Sequence, residues 1–231
     1  MMKKLTVIIA LVLCVGTAKA QYEKRACYFR PYMGFLFSNM ESKAFRSDMD
    51  QKWKFNMTLG GQLEWQAMNS SSLLIDVNYR RQGCSLDYKG NDDHEEKVTK
   101  MTVDYLCFGL QWKMYLRPNF SARVGVELMN KIGDLTTHYC VQNKDVSVNE
   151  EEREHVDDIM DQTSWSVPVG LSYEYKNFTI SATYHLDGQR ISEALSSDDN
   201  TRSAWSSKRE PVYFKAFDLT LGYTIPLKKR K

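Results

Sequence analysis

The chain predicts an all-β fold: an eight-stranded antiparallel up-and-down transmembrane β-barrel with short turns at one end and long loops at the other. Three observations predict it. Apolar and polar side chains alternate with period two in eight separate segments. The connections between those segments alternate strictly between very short and long. The polar side of each stripe mixes Gly, Thr, Ser and Asn with single charges of both signs, which suits a crowded interior better than a solvated surface.

The elements follow in chain order. Lys3 and Lys4, the apolar stretch from Leu5 to Gly16 and Ala18-Lys19-Ala20 form the three parts of a secretory signal peptide over 1–20, leaving a mature barrel domain over 21–231. Leu13, not a small residue, precedes Cys14, so the leader does not read as that of a lipoprotein. Beyond it no apolar run approaches the ~18 residues of a membrane helix, in keeping with a mean hydropathy of −0.50. The expected strands are 27–39, 55–68, 72–86, 101–116, 120–132, 164–175, 178–189 and 213–227. Residues 69–72 (NSSS), 117–119 (RPN) and 175–177 (YKN) are tight turns. Residues 40–54, 87–100, 133–163 and 190–212 are long polar loops. Consecutive hairpins place all the turns at one end and all the loops at the other, the asymmetry of an outer-membrane barrel with periplasmic turns and external loops.

Within the strands, one parity is apolar: Leu59, Leu63 and Trp65; Ile75, Val77 and Tyr79; Phe108, Leu110 and Trp112; Val124, Val126 and Leu128; Val169, Leu171 and Tyr173; Leu219, Leu221 and Tyr223. The opposite parity carries Arg30, Glu64, Asp76, Arg80, Lys113, Arg123, Glu127, Glu174 and Asp218. If the apolar stripes face lipid, these nine charges fill the lumen and must pair there, because an unpaired buried ion costs several kcal/mol. Cys107 shares the lumen parity and reads as a small buried residue. Aromatics near strand ends (Tyr79, Trp112, Tyr115, Phe120, Trp165, Tyr173, Tyr175, Phe178, Tyr213 and Tyr223) are candidates for two interfacial girdles. A lipocalin-type soluble barrel shares the strand count but would point the apolar stripes inward.

The segments "LLIDVNYRRQGCSL", with Tyr79 and Gly83, "VDYLCFGLQWKMYL", with Asp104, Tyr105 and Leu106, and the closing "LGYTIPL" resemble strands of the PorT-like outer-membrane beta-barrel family of the Bacteroidota. The resemblance spans the mature chain, although Cys107, Phe108 and Gly109 depart from the family's Glu-Ile-Pro, and "KKRK" follows Leu227 where many outer-membrane barrels end on an aromatic residue. It implies an outer-membrane location and, because the eponymous member is tied to protein secretion, allows a role as a secretion component.

Chemistry-bearing clusters are few. Glu150, Glu151, Glu152, Glu154, Asp157, Asp158 and Asp161 surround His155 in the third loop. Glu151, Glu152, His155 and Asp158 make a weak candidate for an external cation contact, without the Gly-punctuated spacing of a calcium loop; a solvated loop, with a helical turn using Val156, Ile159 and Met160, is the simpler expectation. His185 with Asp187, and His138 with Asp134, lack a nucleophile context, so no catalytic residue is assigned and the protein reads as a non-enzyme; His185 shares the lumen parity of Thr183 and Ser181 and is expected in the interior hydrogen-bond network. No cofactor and no resident metal are implied. Cys84 and Cys140 are a candidate external disulfide. Lys24, Arg25, Arg117, Lys176 and residues 228–231 fall at the periplasmic end, where they can meet anionic headgroups. With 31 basic and 29 acidic residues and no coherent basic face, the chain does not read as a nucleic-acid binder. The expected role is a non-enzymatic surface barrel whose loops serve adhesion, ligand contact or envelope organisation. Its expected partners are outer-membrane lipids and lipopolysaccharide, with an extracellular ligand or a secretion component beyond them. A narrow pore or secretion component, and a rim-site enzyme, are the alternatives.

Overall fold

The computed structural model describes residues 26–42, 49–88, 96–132, 135–143, 146–154, 163–188 and 212–227. The expected signal peptide lies outside them. The strands are β1 (Cys27–Ser42), β2 (Met49–Met68), β3 (Ser71–Tyr88), β4 (Glu96–Arg117), β5 (Phe120–Lys131), β6 (Leu135–Asn143), β7 (Val146–Glu154), β8 (Thr163–Tyr175), β9 (Phe178–Gly188), β10 (Val212–Tyr223) and β11 (Ile225–Leu227). Eight staves close a ring in the order β1, β2, β3, β4, β5, β8, β9, β10, each antiparallel to its neighbours, and β10 returns to β1. β11 continues β10 past Thr224 and pairs with the start of β1, so Cys27 lies opposite Leu227 at the turn end. Ring closure removes the exposed edges that a free sheet would present.

Burial alternates with the pleat and has the inverse sense of a soluble barrel. Val126 is 59% exposed, Leu128 56% and Ile75 51%, whereas Glu64 is 0% and Arg80 1% exposed. The apolar stripes face outward, and lipid is the solvent that stabilises such a surface. The turns are Asn69–Ser70, Pro118–Asn119 and Lys176–Asn177. Lys176 takes φ 54°, the left-handed value that a two-residue hairpin of primed type requires at its first position. The three turns are tied to the neighbouring stave by backbone bonds: Tyr115 N–H to Ser70 O, Glu174 N–H to Asn119 O and Thr224 N–H to Asn177 O.

Three sequence expectations are corrected. The first two loops are shorter than expected, because β2 begins at Met49, β3 continues to Tyr88 and β4 starts at Glu96. The third, 133–163, is not simply a loop: β6 takes over from β5 as the partner of upper β4, and β7 folds back on β6. The handover occurs where Ile132 N–H bonds to Asp104 O. β6 is thus β5 resumed after a short break, and the wall made by β2, β3, β4, β6 and β7 rises past the opposite wall. The expected helical turn at Val156, Ile159 and Met160 lies outside the described residues. Finally, Cys84 is a free, buried thiol and does not bridge to Cys140. Cys84 faces Met101 from one side of β4, and Cys140 faces Val98 from the other. Two strand spacings, ~10 Å, plus a three-residue offset exceed the ~7 Å Cα separation that a disulfide tolerates.

β4 also shows where the membrane ends. From Trp112 to Leu106 its outward side chains are apolar and its inward ones include Gln111 and Lys113; beyond that, Asp104, Thr102 and Lys100 face outward while Tyr105, Val103 and Met101 are buried inside. β3 inverts at the same level, with Tyr79 followed outward by Arg81 and inward by Cys84 and Leu86. On β2 the change is carried by a register shift between Trp53 and Thr58, a bulge that re-aims the strand.

Candidate functional site

The polar residues converge in the lumen, and they do so in two groups. Nearest the turns, β2 supplies Glu64, whose carboxylate accepts from Arg30 Nη2 of β1 at 2.8 Å, from Lys113 Nζ of β4 at 3.1 Å and from the Tyr115 hydroxyl at 2.7 Å. Glu174 of β8 completes the group: its Oε1 accepts from Arg30 Nη2 at 3.3 Å and also contacts Lys113 Nζ. Arg30 Nε donates to Thr224 Oγ1 at 3.0 Å, and Lys113 Nζ stands 4.6 Å from the centre of the Tyr115 ring. Two cations and two carboxylates from four staves therefore cross-brace the barrel.

The second group lies midway. Arg80 Nη2 donates to Glu127 Oε2 at 2.6 Å, Asn78 Nδ2 bridges Glu127 and Asp76 at 2.8 and 3.2 Å, and the Tyr32 hydroxyl donates to Asp76 at 3.0 Å. Ser166 Oγ donates to Glu127 Oε2 at 3.0 Å. His185 stands between two carboxylates, with Nε2 2.8 Å from Asp218 Oδ2 and Nδ1 3.4 Å from Glu127 Oε2. Arg123 bonds to Thr183, and its charge acts on both Asp76 and Asp218.

All nine charged residues singled out from the sequence occupy the lumen face, and they separate into these two groups. Four cationic side chains face five carboxylates, and an imidazolium at His185 would even the count. Such pairing is what makes these ions tolerable in a space as narrow as an eight-stranded lumen.

Beyond the second group the lumen turns apolar. Cys84, Leu86, Met101, Val103, Tyr105 and Met129 are buried there beside the polar Gln82 and Ser164, while Leu36 and Ala216 stand opposite Asp218 and His185 of the second group. Ser38 Oγ clamps β1 to β3 across this layer, donating to Gly83 O at 2.8 Å and accepting from Gly83 N–H at 2.9 Å. A Cβ at Gly83 would stand 2.0 Å from Met101 O, so the staves approach here as only glycine permits. Burial pushes the Cys84 thiol up to about 12, against the opposing pull of Lys54, which leaves it unreactive at neutral pH.

Several residues are placed differently from the sequence reading. Tyr115, expected in a girdle, is 0% exposed in the lumen; its parity matches Lys113, which its position near a strand end had overridden. Tyr32, Asn78 and Ser166 join the interior network although only their parity marked them. His185, by contrast, lies in the interior network as its lumen parity predicts, against Asp218 and Glu127. Glu151 and Glu152 lie on β7, opposite His138 and Thr137 of β6, while His155 and Asp158 fall outside the described residues. So does Asp134. Trp112, Trp165, Tyr173, Tyr175, Phe178 and Tyr223 are exposed on the outward face, and Phe178 packs edge-on against Tyr223 at 5.3 Å.

Residues 19–188 match the family described as outer membrane protein beta-barrel domain. Similar solved structures are those of Ail, the attachment invasion locus protein of Yersinia pestis (11% identity, 88% of this chain and 100% of that one, TM-score 0.43), and of Neisserial surface protein A (8%, 85% and 97%, TM-score 0.43). The outer membrane protein OprG of Pseudomonas aeruginosa is another (10%, 89% and 99%, TM-score 0.38). Comparison with curated proteins gives no match.

Proposed function

From the premise that the chain belongs to the outer membrane protein beta-barrel domain family and resides in the outer membrane, we propose that it is a closed, non-enzymatic barrel that presents its outer segments at the cell surface. The observation that carries this reading is the filled lumen. Two cross-braced ion groups and an apolar layer follow one another along the axis, and a conducting pore needs a continuous wet path past such groups. Among the described residues, the part that reaches furthest outside is the raised wall, in which β6 and β7 extend the strand system well past the apolar band. Adhesion, ligand contact or envelope organisation are the roles such a wall serves. The segments around Tyr79 and Gly83, around Asp104-Tyr105-Leu106 and at 221–227 support placing the chain among PorT-like barrels of the Bacteroidota, and with that a secretion-linked role.

Reconstitution in planar bilayers tests the reading. The expected result is no stepwise conductance from heat-shiftable, folded protein, together with labelling of residues 135–154 by membrane-impermeant reagents on intact cells. Steady conductance whose ion selectivity changes in Arg123→Ala would sink it and favour the transport role.

A further inference from the structure

The outward face of β2, β3 and β4 just beyond the apolar band carries a cluster of cations. Arg81 of β3 donates to Asp104 of β4 through Nε at 2.7 Å and Nη2 at 2.9 Å, a bidentate pair that fixes the guanidinium plane in the next outward-facing row above Tyr79 and Leu106. The next rows bring Thr102 opposite Gly83 and Lys100 opposite Ser85, and Lys52 of β2 is also opposite Ser85. Lys54 reaches across β3 to the Thr102 hydroxyl and to Met101 O, the latter at 3.3 Å. Four cations on three adjacent staves thus surround one patch. Asp104 sits at its lower edge. Lys52 also pairs with Asp87, which with Asp50 closes the far side. Burial above all, and then the like charges of Lys100 and Arg81, lower the Lys54 pKa, while Cys84 and Asp104 act the other way. An anion placed among these groups would relieve that crowding.

We propose that this patch binds the phosphate groups of the outer leaflet's phosphorylated glycolipid. The proposal rests on the outer-membrane location and not on what the raised wall binds. Its height is the argument for a lipid over a soluble anion. On β3 and β4 the patch begins one outward row above Tyr79 and Leu106, and on β2 the exposed Met57, Phe55 and Trp53 flank it, so the acyl chains of a lipid lying on Leu106, Phe108 and Val77 carry their headgroup to Arg81, Lys54 and Lys100. Polybasic surfaces at that depth attract anionic headgroups with a strength that grows with each cation, and the planar guanidinium and flexible ammonium groups supply complementary phosphate donors.

Native mass spectrometry of the folded full-length protein, reconstituted with bis-phosphorylated lipid A or with the same lipid stripped of phosphate, reads this out. Wild type is expected to retain the phosphorylated lipid and to hold the stripped lipid at least tenfold less. The triple variant Lys52→Gln, Lys54→Gln, Lys100→Gln, which spares the Arg81–Asp104 pair, should lose retention by at least tenfold while keeping its heat-dependent gel shift. Lys215→Gln, further round the barrel on β10, should behave as wild type. If the triple variant fails to fold, Lys52→Gln and Lys100→Gln tested singly should each weaken retention about threefold. Equal retention by wild type and patch variants, or indifference to lipid phosphate, overturns the proposal. Displacement of the lipid by millimolar inorganic phosphate assigns the patch to a soluble anion instead, and also overturns it.

Discussion

Glu64→Ala is the perturbation on which the reading of the lumen depends most. Glu64 is fully buried and accepts from Arg30, Lys113 and Tyr115 at 2.8, 3.1 and 2.7 Å. Its loss leaves two buried cations facing the single carboxylate of Glu174. Breaking a buried pair by removing one partner costs roughly 3–5 kcal/mol. The urea midpoint of the barrel in lipid vesicles, followed by the gel shift between folded and unfolded forms, should fall accordingly. The companion variant Glu64→Gln/Lys113→Met removes one charge of each sign and leaves Arg30 with Glu174, whose contact at 3.3 Å survives. Because exchanging a buried pair for neutral groups is often close to costless, this double variant should recover at least half of the loss. The reasoning is refuted if Glu64→Ala costs under about 1 kcal/mol, or if the double variant is no better than the single one; either result would mean that the lumen charges are solvated individually, as in a pore.

Other expectations follow from single positions. Gly83→Ala forces a Cβ to within 2.0 Å of Met101 O, so the folded fraction on refolding should drop sharply, by a stability loss of about 1–3 kcal/mol or more; an unchanged midpoint would show that β3 and β4 are not so close. Leu110→Arg, on the outward face, should cost about 2–4 kcal/mol in bilayers, whereas Lys100→Arg, above the band, should leave the midpoint unmoved; equal effects would misplace the membrane boundary. Cys84 should remain unlabelled by a maleimide in folded protein and react after heating, and intact mass should show no bond to Cys140, since the thiol is buried and its pKa is pushed up to about 12; ready labelling at neutral pH would contradict the sealed upper layer.

How much of this was legible in the sequence depended on what fixes each feature. Strand number, ring order and the inward set of charges follow from period-two alternation and connection length, because a pleat sends alternate side chains to opposite faces regardless of the tertiary partners. Arg30 and Glu174 share a lumen-facing parity; that they meet across the barrel at 3.3 Å, however, depends on the stagger between staves, which no local pattern encodes. Strand ends were harder. Residues 96–100, 135–143 and 146–154 are largely polar and charged, so they resemble loop, yet they pair as strands because upper β4 offers β6 a continuing hydrogen-bonding edge. Tyr115 was misassigned by treating proximity to a strand end as stronger than parity.

The inversion on β3 and β4 explains both the misread strand ends and the layered lumen. A barrel wall needs one apolar side at every height, but which side changes with its surroundings. Inside the bilayer lipid takes the apolar face, so the lumen holds the polar groups in networks of ion pairs and hydrogen bonds. Past the headgroups the outer face meets water and phosphate, and the apolar residues move inside, where Met101, Val103 and Tyr105 pack against Cys84 and Met129. From Lys100 to Tyr115 the alternation along β4 is continuous; only its chemical sense reverses, between Tyr105 and Leu106. A strand that keeps its period while exchanging its faces therefore records the level of the membrane surface. The same reversal that seals the lumen from above also places Arg81 and Lys100 on the outside, at the height where anionic headgroups lie.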